Sequence, residues 1–196
     1  CLFCDGFEVK GKPVGILGFP SPMYAHLVLM AYAFSDDITI YPNGPVSEAE
    51  DVQKALRTAK ARGAKLDKRR IRSLVNEGRA PGHGVTINFE DGDSVTLGFL
   101  AHKPPTVNRA QNLIDQLELE NKPNEQGGEV VVKDASFQKT SLAGCYVAGD
   151  TCTMTKSVVG AAAAGIGAAA GANMELCREE GQRALEGMET QSIDGD

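Results

Sequence analysis

No apolar stretch of this 196-residue chain reaches the roughly 18 residues that a bilayer crossing needs. The Ala/Gly-rich run at 160–172 is too short and too weakly hydrophobic, so no membrane partner is expected. An excess of Lys and Arg is also missing. The net charge is −6, and because phosphate backbones are bound by clustered cations, no nucleic-acid partner is expected either. The one basic run, Lys65 to Arg72, reads as the solvated face of a helix. There are three histidines and five cysteines, one close pair and three scattered. Cys145, Cys152, Cys177, His26, His83 and His102 lack zinc-ligand spacing, so no metal site is predicted, and no secreted disulfide framework is visible. No signal peptide is recognisable, and a cytoplasmic location is the expectation. An opening methionine is lacking too. A domain rarely places reactive residues at a fraying end, so about another hundred residues are expected upstream of Cys1.

What is present is ordinary globular composition, 42% apolar and 23% charged. Lys12 to Gly18, Met23 to Phe34 and Ile38 to Tyr41 read as strand, helix and strand, a βαβ unit with a parallel pair. Ser47 with Glu50 has the form of a capping box opening a helix through Ala55 and Ala59 to Gly63. Leu66 to Asn76 reads as a further helix. Val85–Phe89 and Ser94–Leu97 alternate around an acidic Gly turn, the pattern of a β-hairpin. Pro104-Pro105 then interrupts the chain, and a boundary is expected between 98 and 106, dividing it into 1–98 and 99–196. Downstream, Glu129–Val132 and Cys145–Ala148 read as strands and Val158–Met174 as one long helix. The polar tail from about 186 is expected to be loose.

Two motifs carry chemistry. Cys1-x-x-Cys4 suits disulfide exchange, since one thiolate attacks and the second, a turn away, closes the intramolecular disulfide; metal binding and chance produce the same spacing. Gly144-Cys-Tyr-Val-Ala-Gly149-Asp150 leads into the Ala/Gly-rich helix. It reads as a strand ending in a tight Gly turn that presents a carboxylate beside a helix N-terminus, or as an ordinary βα corner.

Taken together, in this order and spacing, Cys-x-x-Cys-Asp-Gly, the βαβ unit, the hairpin and Ala-Gly-Asp resemble the low-molecular-weight thioredoxin reductase family of flavoproteins, from its redox cysteines onward. The resemblance implies an α/β, two-domain, three-layer Rossmann-like architecture. The chain would hold the CxxC and a degenerate NAD(P)-binding-like domain (1–98), then the C-terminal portion of the FAD domain (99–196). It implies a homodimer with FAD as cofactor, Cys1 and Cys4 as the redox pair with Cys4 nearer the flavin, and Gly149, Asp150, Val158 and Val159 at the flavin. The family's Gly-x-Gly-x-x-Ala fingerprint is replaced by Gly18-Phe-Pro20-Ser-Pro22-Met23. Pro20 offers no N–H and Met23 puts bulk where close helix packing needs a small residue. The loop Tyr41-Pro-Asn-Gly44 holds no cation for a 2′-phosphate, although Lys54 or Arg57 lie on the next helix. NADP is therefore not expected.

Cys-Leu-Phe-Cys-Asp-Gly-Phe-Glu8 resembles the fungal dithiol oxidase branch, which closes disulfides in gliotoxin-type secondary metabolites. That branch implies a small dithiol substrate with O2 as acceptor. His102, in Ala101-His-Lys-Pro-Pro, is the candidate general base. Two alternatives remain open: an NADPH-dependent disulfide reductase acting on a thioredoxin-like protein, and a truncated paralogue without FAD that serves as a non-redox binding protein.

Overall fold

A computed structural model describes residues 2, 6–78, 84–124 and 127–193, with side chains to 188. The chain divides into two compact units, 1–104 and 105–196.

In the first unit the short apolar run Val14–Leu17 is strand β1, buried along most of its length as a parallel-sheet strand must be. Helix α1 (Met23–Ala31) leads to β2 (Ile38–Tyr41), and helix α2 (Glu50–Ala61) leads to β3 (Lys65–Leu66). Both helices turn their apolar positions toward the sheet. Tyr24, Ala25, Val28 and Ala31 are buried on α1, and Val52, Ala55, Leu56 and Ala59 on α2, at helical spacing. They close over Val14, Ile16, Ile38 and Ile40, which are at most 1% exposed. No capping box forms on α2: Ala49 is its N-cap, Glu50 stands in the first turn, and Ser47 Oγ accepts only the Ala49 N–H at 3.3 Å.

The segment expected to continue as a helix instead forms β3 and β4 (Ile71–Asn76). Pairing with neighbouring strands overrides the i, i+3, i+4 apolar spacing of Ile71, Leu74 and Val75. The basic run is therefore strand and linker, not a helix face. Strands β4, β5 (Val85–Phe89) and β6 (Ser94–Leu97) form an antiparallel meander. Its Ile87, Phe89 and Leu97 pack with Tyr41. Glycine is needed at Gly15 for this packing, because a Cβ there would lie 2.4 Å from Leu97 Cδ1 and 2.8 Å from Leu100 Cδ1. Arg69 ties the meander down. Its guanidinium lies 3.8 Å from the Phe89 ring centre and bonds Asp67 (2.7 Å) and Asp93 (3.1 Å). The chain then returns as β7 (Phe99–His102), completing a parallel sheet of order β3-β2-β1-β7. Phe99–His102, assigned from the sequence to the second segment, thus belongs to the first unit's sheet.

The second unit contains helix α3 (Gln111–Gln116), the short pair β8 (Asn121–Lys122) and β9 (Glu129–Val130), and helix α4 (Val158–Ile193). Cys145–Ala148 forms no strand. Its only ladder contact is an isolated bridge from Tyr146 to Lys139. Helix α4 runs 36 residues, through the tail expected to be loose. It is seated by glycine and by charge. A Cβ on Gly171 would lie 2.8 Å from both Phe137 Cβ and Tyr146 Cε1, and one on Gly167 would lie 2.8 Å from Ser136 O. Tyr146 donates its hydroxyl hydrogen to Glu175, which also pairs with Lys139 at 3.3 Å. The bond to the carboxylate pushes the tyrosine up to about 12 and holds Glu175 below its ordinary value.

Two glycines on α4 should respond with opposite signs. Gly171→Ala should destabilise by about 1–3 kcal/mol through overpacking. Gly165→Ala meets nothing within 4 Å and should stabilise by about 0.5–1 kcal/mol through helix propensity. Urea midpoints for the two variants check this. A depressed carboxylate contributes stability above its unfolded pKa and loses it as pH falls through the folded one. Thermal stability should therefore decline below about pH 4.5 more steeply in the parent than in Glu175→Gln, and equal acid limbs would contradict that assignment.

Candidate functional site

The parallel register sets the C-terminal ends of β1, β2 and β7 side by side, with Leu17 opposite both Tyr41 and His102. Ligands of open α/β sheets bind at this edge. Leaving β1, Gly18 takes φ +82° and donates its N–H to Tyr41 O at 2.8 Å. Phe19 turns inward and packs against Tyr24, ring centres 6.1 Å apart, while the Tyr24 hydroxyl donates to Lys103 O at 2.6 Å. Burial raises the pKa of that phenol, so it remains a donor. Helix α1 starts only at Met23. The N–H groups of Tyr24 and Ala25 are engaged by the carbonyls of Ser21 (3.2 Å) and Pro22 (3.1 Å), and Pro20 and Pro22 have none. Four of the six residues from 20 to 25 thus have no free amide for an anion.

The loop after β2 holds a cation that was not foreseen. Asn43 and Gly44 have φ of 60° and 123°, and the Arg70 guanidinium donates to Asn43 O at 3.0 Å. Asn43 Oδ1 in turn accepts the Ile71 N–H at 2.8 Å. Nothing local in the sequence announces Arg70, which comes to the loop only through the parallel pairing of β3 with β2. Lys54 and Arg57, the cations considered earlier, are exposed on α2.

His102 ends β7, exposed, with Nδ1 3.0 Å from Leu17 O. A carbonyl can only accept, so this contact assigns the proton to Nδ1 and leaves the Nε2 lone pair for a base. His26 is exposed on α1. Cys1, Cys4, Asp5 and His83 lie outside the described residues. Beside the cysteine pair, Leu2 is buried in the first unit's core, and its carbonyl accepts the Gly6 N–H at 3.0 Å.

In the second unit, Gly149, Asp150, Val158 and Val159 are brought together by one loop. Gly149 turns it with φ +77°, and Asp150 stands exposed in the short turn Gly149–Thr151. Lys156 folds back to donate to the carbonyls of Asp150 and Thr153, the latter at 2.9 Å. Ser157 Oγ caps the Gly160 N–H at 3.1 Å. Val158 and Val159 open α4 with 87% and 81% of their surface exposed. Residues of the loop line two concavities. One, of about 580 Å³, is lined by Asn108, Arg109, Asp150, Thr151 and Lys156. The other, of about 440 Å³, is lined by Gly149, Cys152, Thr153, Ser157, Gly160 and Ala164.

This donor set fits FAD. An exposed carboxylate can accept from a ribityl hydroxyl, the first turn of a long helix favours negative charge, and small side chains leave room for a flat ring. Cys152 is no candidate nucleophile. Burial pushes its thiol up, and Sγ sits 3.3 Å from Gly149 O and 3.7 Å from Val147 O as a protonated donor. Among the described residues no group of three His, Cys, Asp or Glu side chains could hold a metal ion, and no helix is long and apolar enough to cross a membrane.

No protein-family model matches the chain. It is 36% identical over 190 residues to thioredoxin reductase tcpT of Claviceps purpurea, covering 94% of this chain and 56% of that protein. It is 34% identical over 183 residues to a thioredoxin reductase of Gibberella zeae, covering 90% and 51%. The chain thus spans about half the length of the curated relatives it matches. In structure it superposes on HlmI with a TM-score of 0.76 at 24% identity, over 98% of this chain and 56% of that one. A candidate thioredoxin reductase TrxB of Bacillus anthracis gives a TM-score of 0.69 at 26% identity, over 91% and 56%. With sequence likeness sustained over nine-tenths of its length and the α/β fold in agreement, the chain belongs to the thioredoxin reductase-like flavoprotein family.

Proposed function

We propose that the chain is part of an FAD-dependent dithiol oxidase that closes a disulfide in a small-molecule substrate of the gliotoxin type, working as a homodimer with O2 as the electron acceptor. The observation that carries this reading is the turn from β1 to α1, where two prolines and two internally bonded amides stand where a dinucleotide would need free N–H groups.

In this mechanism one substrate thiolate attacks the Cys1–Cys4 disulfide and forms a mixed disulfide. The second substrate sulfur then attacks the substrate's own bonded sulfur, leaving as a cyclic disulfide and releasing both enzyme thiols. Two electrons and two protons pass from substrate to the cysteine pair. When bound, FAD supplies the two-electron sink that returns the pair to its disulfide, with O2 reduced to hydrogen peroxide. Gly149, Asp150 and the first turn of α4 would hold it. His102 Nε2 would take a substrate thiol proton, since thiols with a pKa near 8.5 are only a few per cent ionised at neutral pH. Leu17 O keeps the imidazole in the tautomer that this requires.

One observation favours a second reading. Arg70 at the loop after β2 offers the cation that a 2′-phosphate would need, so an NADPH-dependent disulfide reductase is the competing assignment.

Anaerobic mixing separates the two. A small dithiol should bleach the flavin absorbance while NADPH leaves it unchanged, and rapid bleaching by NADPH would overturn the oxidase reading. His102→Gln can keep a donor to Leu17 O but has no base. It should slow dithiol oxidation by about 10²–10⁴-fold, and a parental rate would rule His102 out.

A further inference from the structure

We propose that Lys156 is a charge-setting, positioning residue of the flavin site: its ammonium, locked onto the turn that presents Asp150, biases bound flavin toward the reduced, negatively charged form. The inference rests on the FAD reading above.

Lys156 is exposed, yet its side chain does not extend into water. It folds back so that Nζ meets two main-chain carbonyls, Asp150 O and Thr153 O. Holding a lysine in one such geometry costs rotamer entropy. The result is a fixed point charge at a chosen place. That place is two residues before α4, where the helix's own positive end and the exposed first-turn residues Val158 and Val159 lie. Arg109 lines the same concavity, together with Thr106, Asn108 and Thr151, and Asp150 is the one formal negative charge among its lining residues. A chain of net charge −6 has thus set two cations and a helix N-terminus around one carboxylate.

Such an arrangement has a defined effect on a redox cofactor. Two-electron reduction by a dithiol places negative charge on the flavin ring, and a preorganised cation stabilises that product more than the neutral oxidised ring. The effect runs through charge, so arginine should preserve it and glutamine should abolish it. A lysine that merely staples the turn would behave differently. Its loss would loosen the loop and weaken FAD binding without moving the redox equilibrium.

The test uses the flavin-loaded protein and its Lys156→Gln and Lys156→Arg variants, with FAD affinity read by fluorescence and the midpoint potential read against a reference dye. In Lys156→Gln the reduced-to-oxidised ratio at fixed poise should fall about tenfold, about 30 mV for a two-electron couple. Lys156→Arg should stay close to the parent. Should Lys156→Gln fail to retain FAD, Arg109→Gln should move the potential in the same direction by a smaller factor. An unchanged potential in the charge-removing variant that retains FAD, or an equal fall in Lys156→Arg, overturns the proposal while leaving the FAD reading intact. A parent protein that binds no flavin overturns both.

Discussion

The first unit depends on a single constraint, the parallel register that places Leu17 between Tyr41 and His102. Parallel strands deliver all their C-terminal ends to one edge, and α1 and α2 must lie on a face to allow it. The Gly18 turn, the Asn43 loop and the His102 imidazole therefore share that edge, although they are up to 84 residues apart in sequence. A slip of β7 by one residue would turn His102 to the other face and bring Ala101 out of the core.

At the same edge the backbone between β1 and α1 satisfies its own hydrogen bonds. Gly18 still makes the tight turn, so the strand still feeds the helix. Beyond it, the Pro-Ser-Pro sequence closes its own hydrogen bonds, and Phe19 and Tyr24 fill the interior beneath. Arg70, between β3 and β4, meanwhile braces the loop after β2. The sheet and its helices are held by the buried Ile16, Val28, Ile38 and Ile40, none of which lies in that turn.

Much of this was legible in the sequence, for identifiable reasons. β2 and the β5–β6 hairpin stand out because apolar runs and alternation reflect burial directly, and α1 because a long apolar segment lies between two strands; α2 was found through a capping box that the structure does not form. Residues 66–76 misled because Ile71, Leu74 and Val75 have helical spacing, while the ladder to β5 that decides their state is a long-range partner. Cys145–Ala148 misled in the opposite way: among the described residues its apolar run makes only an isolated bridge to Lys139 and no ladder, so it stays irregular. At the candidate site the turn at Gly149 and Asp150 was legible from Ala-Gly-Asp, but the contacts of Arg70 and the folded-back Lys156 were not, since they depend on where the chain bends. The redox role of the cysteine pair rests on Cys-x-x-Cys spacing and family likeness.

Gly15 has a wider meaning than its size suggests. Leu97 and Leu100 fit against a bare backbone there like tongue into groove, so sheet and meander are cut to one pattern. Neither can be trimmed alone. A relative that shed the meander would leave this notch open to water and gain by filling it with a branched side chain, so the residue at this one position indicates whether the inserted hairpin is still in place.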